Sequence, residues 1–176
     1  MTDRLGMLFS LHSLYLPNCS LTDIPNLEDI PNLYNVDLSN NPLAHITGMN
    51  NVFYLVLDNC SFTELPTLTN PDRLGKLSLD NNPIKQVAKI DSFVNLRSLD
   101  LNNCTLSSIP PTIDRLRKLG RLSLNNNKLF YLPSNILRLS SLIYVDISNN
   151  CFSPLELEIV EQQFHSSLPN TTLIIT

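Results

Sequence analysis

The apolar residues of this chain return on a fixed schedule. Aligned on leucine, the pattern LxxLxLxxNxL occurs seven times, beginning at Leu11, Leu33, Val52, Leu74, Leu96, Leu119 and Leu142. Successive starts lie 22, 19, 22, 22, 23 and 23 residues apart, a period that marks stacked repeats. Positions four and six, such as Leu77 and Leu79 or Val145 and Ile147, alternate with polar residues and predict a half-buried strand in every repeat. The second half of most repeats reads like "IPPTIDRLRKL" (Ile109–Leu119), with apolar residues three apart and proline near the front. That predicts a compact extended or 3₁₀ return.

The arrangement resembles the leucine-rich repeat family, over nearly all of the chain and in register. The resemblance implies an α/β solenoid: an arc whose parallel β-sheet lines the concave face, with short 3₁₀ or extended segments on the convex side. The 22–23-residue repeats look like the short intracellular or bacterial kinds. The expected organisation is a partial repeat over 1–10, seven repeats over 11–153 and a C-terminal cap over 154–176. The short second repeat, "LYNVDLSNNPLAHITGMNN", lacks the proline and predicts an irregularity on its convex side.

Position nine holds Cys19, Asn41, Cys60, Asn82, Cys104, Asn127 and Asn150. In the family this side chain turns inward and satisfies backbone groups of neighbouring turns, which a short polar residue can do. Cysteine is smaller, buries readily and has a weak S–H donor, so it is read as a structural replacement with a buried free thiol. Consecutive cysteine rungs are separated by an asparagine rung, hence by about 9–10 Å, beyond the roughly 7 Å Cα limit of a disulfide. Cys151 lies one position outside this ladder and is expected to be more exposed. Asparagine fills position eight of every repeat, so the glycosylation patterns at Asn18, Asn59 and Asn103 arise from the motif itself. Asn170 matches the same pattern outside the repeats.

The ends differ. In "SPLELEIVEQQFHSSLPNTTLIIT", Pro154 follows Ser153 and Glu156 and Glu158 sit near a helix start, so a helix is expected, with Leu155, Ile159 and Phe164 facing inward. The final Thr172–Thr176 can add a strand, and helix plus strand would cap the stack. At the other end Leu5, Leu8 and Leu11 are three apart, as if the chain began halfway through a repeat. This leaves three readings: a frayed edge, missing upstream sequence, or a self-associating edge.

Twelve basic and sixteen acidic residues give a formal charge of −4, which offers no general attraction to nucleic acid or an anionic membrane. No apolar run approaches the roughly 20 residues of a membrane helix, and the start is a poor secretory signal. The cytosol, or delivery into a host cytosol, is therefore expected. His12, His45 and His165 fall in unrelated positions, and no nucleophile elbow, phosphate loop or zinc motif is present. No catalytic residue, metal or cofactor is expected.

Function must then lie in surface chemistry. The outward strand positions collect Tyr15, Tyr34, Phe53, Tyr54 and Val56 over the first three repeats. Lys76, Arg97 and Arg121 follow as a basic stripe edged by Asp58, Asp80 and Asp100, with Tyr144 further along. Tyrosine and arginine are enriched at binding hot spots, and apolar side chains gathered on a solvent face call for a partner. The expected function is a non-catalytic module binding a protein or peptide through its concave face, the basic stripe selecting an acidic segment. The alternatives are an extracellular receptor for glycan or peptide, or the substrate-recognition part of a larger effector or ubiquitin-ligase receptor.

Overall fold

A computed structural model describes residues 8–176; residues 1–7, with Leu5 and most of the expected partial repeat, lie outside it. Eight three-residue strands form one parallel sheet in strict chain order. They are β1 (Ser13–Tyr15), β2 (Asn35–Asp37), β3 (Tyr54–Val56), β4 (Lys76–Ser78), β5 (Ser98–Asp100), β6 (Arg121–Ser123), β7 (Tyr144–Asp146) and β8 (Thr172–Ile174). The first seven occupy positions three to five of the motif, and like positions pair across the sheet: Leu55 faces Leu77, which faces Leu99. Identical spacing in each turn thus becomes identical register. The fold is a leucine-rich-repeat solenoid.

Positions four and six point into the stack, and from β2 to β7 their side chains are essentially dry. Burying a leucine or valine contributes about 1.5–3 kcal/mol, so this double row and the apolar residues of the returns supply the main cohesion. The returns after β3, β4, β5 and β6 carry 3₁₀ turns at Pro71–Arg73, Ile90–Ser92, Pro111–Arg115 and Ser134–Arg138. The short return after β2 carries none. It turns instead at Gly48 (φ +69°), where a Cβ would stand 1.6 Å from the side-chain oxygen of Asn26. Only glycine fits that left-handed, crowded position.

Position eight requires the left-handed conformation too. Asn18, Asn40, Asn59, Asn81, Asn103, Asn126 and Asn149 all have φ between 51° and 59°. Asparagine is the non-glycine residue that adopts this region most readily, which accounts for its presence in every turn.

At position nine the asparagines form one bonding pattern. Asn82 donates to the carbonyls of Leu57 in the previous turn and of Leu79 and Asp80 in its own, and accepts from the N–H of Phe62 at 3.0 Å. Asn41, Asn127 and Asn150 repeat it. The cysteines keep only weak donation: Cys104 Sγ lies 3.4 Å from the Leu79 carbonyl and Cys60 Sγ 3.5 Å from that of Leu38. All four thiols are free, but their burial corrects the expectation: Cys104 is buried, Cys60 half-buried and Cys19 exposed, since its turn lies at the edge of the described stack. Cys151 is exposed, as expected.

Helix α1 (Pro154–Ser167) begins at a cap in which Ser153 Oγ accepts from the Glu156 N–H, with Pro154 in the first turn. Its phase differs from the expectation. Leu155 is 67% and Ile159 37% exposed, while Val160 and Phe164 are buried, with Leu157 packed on the core beside them. The 157, 160, 164 spacing is the stripe a helix of this pitch can seat on the stack. Strand β8 then pairs with β7.

Candidate binding surface

The three residues that alternate with the core leucines face outward, so the site is built by repetition: one row per motif position, one side chain per rung. In the position-two row, Tyr34 stacks on Phe53 with ring centroids 5.1 Å apart and planes within 3°. Tyr54, in the position-three row, meets both rings edge-on at 5.6 and 4.9 Å. The next residue of the position-two row is Gly75, and a Cβ there would lie 2.0 Å from Phe53 Cζ. The missing side chain is the seat of the Phe53 ring. Tyr15 (62% exposed), Tyr34 (43%) and Tyr54 (43%) remain open to solvent.

The predicted residues separate into three groups. Tyr15, Tyr54, Val56 and Lys76 line a shallow concave depression of about 320 Å³. Tyr34, Phe53 and Arg97 instead line a groove of about 520 Å³ on the flank where the chain runs into the strands. The Tyr34–Tyr54 and Phe53–Tyr54 edge contacts join these two. Arg121 and Tyr144 stand apart, the guanidinium 3.9 Å above the tyrosine ring.

Among the described residues, two of the three cations of the basic stripe are paired, Arg97 being the exception. Lys76 Nζ lies 3.7 Å from one oxygen of Asp100 and Arg121 Nε 3.4 Å from the other. Asp100, read as outward from the sequence, is buried, as are its position-five neighbours Ser78 and Ser123. Beside the stripe, the position-seven residues hand hydrogen bonds along the stack. Asp58 accepts from Ser78 Oγ (2.6 Å) and the Asp80 N–H (2.9 Å), and Asp80 accepts from the Asn102 N–H (2.7 Å). Burial, and the charge of neighbouring carboxylates, pushes Asp58 and Asp80 above the usual carboxylate range.

Sequence reasoning missed Arg73 and Lys118, which line the flank groove at the residue before the motif start. Their signal was available in the linear charge distribution. Eleven of the twelve Lys and Arg residues, but four of the sixteen Asp and Glu, fall between residues 73 and 138. Thiol chemistry gains little support: burial pushes Cys60 up and Cys104 to about 11. Among the described residues there is no cluster of metal-ligating side chains, and no helix long and apolar enough to cross a membrane.

Two family models match, leucine-rich repeats in two copies over residues 10–49 and a single leucine-rich repeat over 95–116. Similar solved structures include bacterial proteins. A leucine-rich repeat protein of Leptospira interrogans is 26% identical with a TM-score of 0.66, covering 96% of this chain and 50% of that protein. YopM from Yersinia enterocolitica is 27% identical with a TM-score of 0.66, over 80% of this chain and 30% of its own. An internalin C2 from Listeria monocytogenes, at 21% identity and a TM-score of 0.65, shares the fold over 98% of this chain and 84% of its own. The chain thus spans half the length of the Leptospira protein and less of YopM. No curated protein matches it. Motif, register, family models over residues 10–49 and 95–116 and solved neighbours agree that the chain is built of leucine-rich repeats and resembles that family.

Proposed function

We propose that this chain is a non-catalytic interaction module that holds a protein or peptide partner on its concave face, in the cytosol or after delivery into a host cytosol. Leucine-rich repeat proteins are generally binding modules, and the fold suits protein–protein interaction. The observation that carries the concave reading is the aromatic cluster. Tyr15 and Tyr54, which line the concave depression, keep roughly half their surface open, and Tyr54 is already held by edge contacts with Tyr34 and Phe53. Aromatic rings held in place lose little entropy on binding, and such residues form hot spots.

The experiment is affinity capture on the intact chain, followed by titration of the recovered protein against Tyr15→Ala plus Tyr54→Ala, which strips the concave depression and removes no residue lining the flank groove. Binding should weaken by more than about 2 kcal/mol. Unchanged affinity in the folded double variant would move the site off the concave face.

A further inference from the structure

The cations of the concave stripe are spoken for, and those of the flank are not. Lys76 and Arg121 share Asp100, and Arg121 also covers Tyr144. Arg73, Arg97 and Lys118 are exposed and make no ion pair among the described residues. All three line the flank groove together with Tyr34 and Phe53, where Asp72 is the sole carboxylate among the described lining residues.

The groove is polar along its length. Its Tyr34–Phe53 end belongs to the section of chain before residue 73, which holds eight acidic residues and one basic. Its Arg97–Lys118 end belongs to the section that holds nearly all the cations. Phe53 and Arg97 occupy the same row two rungs apart, with Gly75 between them, and Gly120 follows Arg97. Two rungs are about 10 Å, the distance an extended peptide covers in about three residues. A ligand matching this row therefore carries an apolar group at one end and negative charge roughly 10 Å away.

We propose that the flank groove binds a linear acidic segment of a protein partner, an apolar residue lying on Phe53 and a carboxylate three residues along meeting Arg97, with Lys118 receiving the next acid. The proposal rests on the chain being a binding module but not on the concave face being the site used. A peptide suits the groove better than a nucleic-acid strand. A uniformly charged backbone would bring phosphates to the Tyr34–Phe53 end, where the two rings, Asn32 and Asn51 offer no cation, as well as to the basic one, whereas a peptide can confine its charge.

The test is fluorescence anisotropy with the intact chain and a labelled peptide containing Phe-Ser-Ser-Glu-Glu. Comparison probes are the Phe-Ser-Ser-Gln-Gln peptide, a Phe-Glu-Glu-Ser-Ser peptide and an eight-residue oligo-dT. The first peptide should bind about fivefold or more tighter than the other two peptides, and added salt should weaken it. Arg97→Ser plus Lys118→Ser, both exposed and outside the core, should weaken binding by about fivefold or more, while Lys76→Ser plus Arg121→Ser should change it less than about twofold. The proposal is overturned if the flank variant binds normally or the concave variant loses as much. Tighter binding of oligo-dT, or no binding of the acidic peptide at millimolar protein, overturns it equally. Failure of the concave face would show instead in the Tyr15→Ala plus Tyr54→Ala titration, which removes none of the residues lining this groove.

Discussion

Asn82 and Cys104 fill the same position in consecutive turns, and each sits between two strands of leucines. Asn82 satisfies four backbone groups, one of them the N–H of Phe62 in the turn before it. Cys104 offers no comparable acceptor, and the equivalent N–H of the turn before it belongs to Ile84. That N–H has been redirected: it bonds the carbonyl of Asn82 in its own turn at 2.8 Å. Leu43 does the same to Asn41 at 2.7 Å, ahead of Cys60. In both places the residue between donor and acceptor is proline, Pro83 and Pro42, whose fixed φ suits a tight three-residue turn. From Cys19 to Asn82 the ladder therefore works in pairs of turns. A Cys-Ser or Cys-Thr turn is served by the asparagine that follows it, and an Asn-Pro turn serves itself and tolerates a following cysteine.

The strongest way to break that comparison is to remove the asparagine. Asn82→Ala leaves the Phe62 N–H and the Leu57 and Leu79 carbonyls buried without their partner. Since each unsatisfied buried group costs about 1–3 kcal/mol, a loss of about 3 kcal/mol in urea unfolding is expected. Cys104→Ala removes a weak donor and a single sulfur, and should cost about 1 kcal/mol. Equal losses would mean that the two rungs do the same work and that the proline turn is incidental.

Thiol chemistry sharpens the same comparison without altering the fold. At pH 8, Cys19 and Cys151 should label rapidly with a maleimide, Cys60 more slowly and Cys104 last, because burial both shields it and pushes its thiol to about 11. Mass spectrometry after timed labelling gives the order. Rapid modification of native Cys104 would show that its rung opens and is not packed.

Much of this was legible in the sequence, for a reason particular to repeats. Every strand-facing leucine is confirmed six times over by its counterparts, so register followed from spacing, and the row membership of Tyr34, Phe53 and Arg97 came with it. What spacing could not convey was depth. Leu155 and Ile159 were placed inward because α1 has no second copy to set its phase, and Cys19 was placed inside by analogy with rungs that have described turns on both sides. Asp100 was read as a surface edge of the basic stripe, yet it is buried, as are its position-five neighbours Ser78 and Ser123. The split of the predicted site between concave depression and flank was likewise hidden. It depends on the direction in which Phe53 leans, which Gly75 decides. Gly75→Ala should displace the Phe53 ring and break its stack with Tyr34, visible as a changed near-ultraviolet circular dichroism signal while the far-ultraviolet spectrum holds. An unchanged aromatic signal would show that the ring does not depend on that gap.

The smallest effect distinguishes a neutral rung from a charged one. Asp58 performs on the outside of the stack what Asn82 performs inside, accepting from a backbone N–H of an adjacent turn, but it does so as a carboxylate withdrawn from water and close to the charges of Asp80 and Asp100. Its folded-state pKa is raised, so the folded chain holds this proton at a pH where the unfolded chain has released it. Stability from this group is therefore fully present below the unfolded value of 3.8 and is lost as pH rises through the folded value. Asp58→Asn keeps an oxygen to accept from Ser78 Oγ and the Asp80 N–H while removing the charge. The variant should melt slightly above the parent at pH 7, and its advantage should shrink as pH falls through the carboxylate range, where the parent gains its proton. A variant that melts lower at pH 7, or by a margin that does not change with pH, would show that the carboxylate is held for its charge and not only for the hydrogen bonds it accepts.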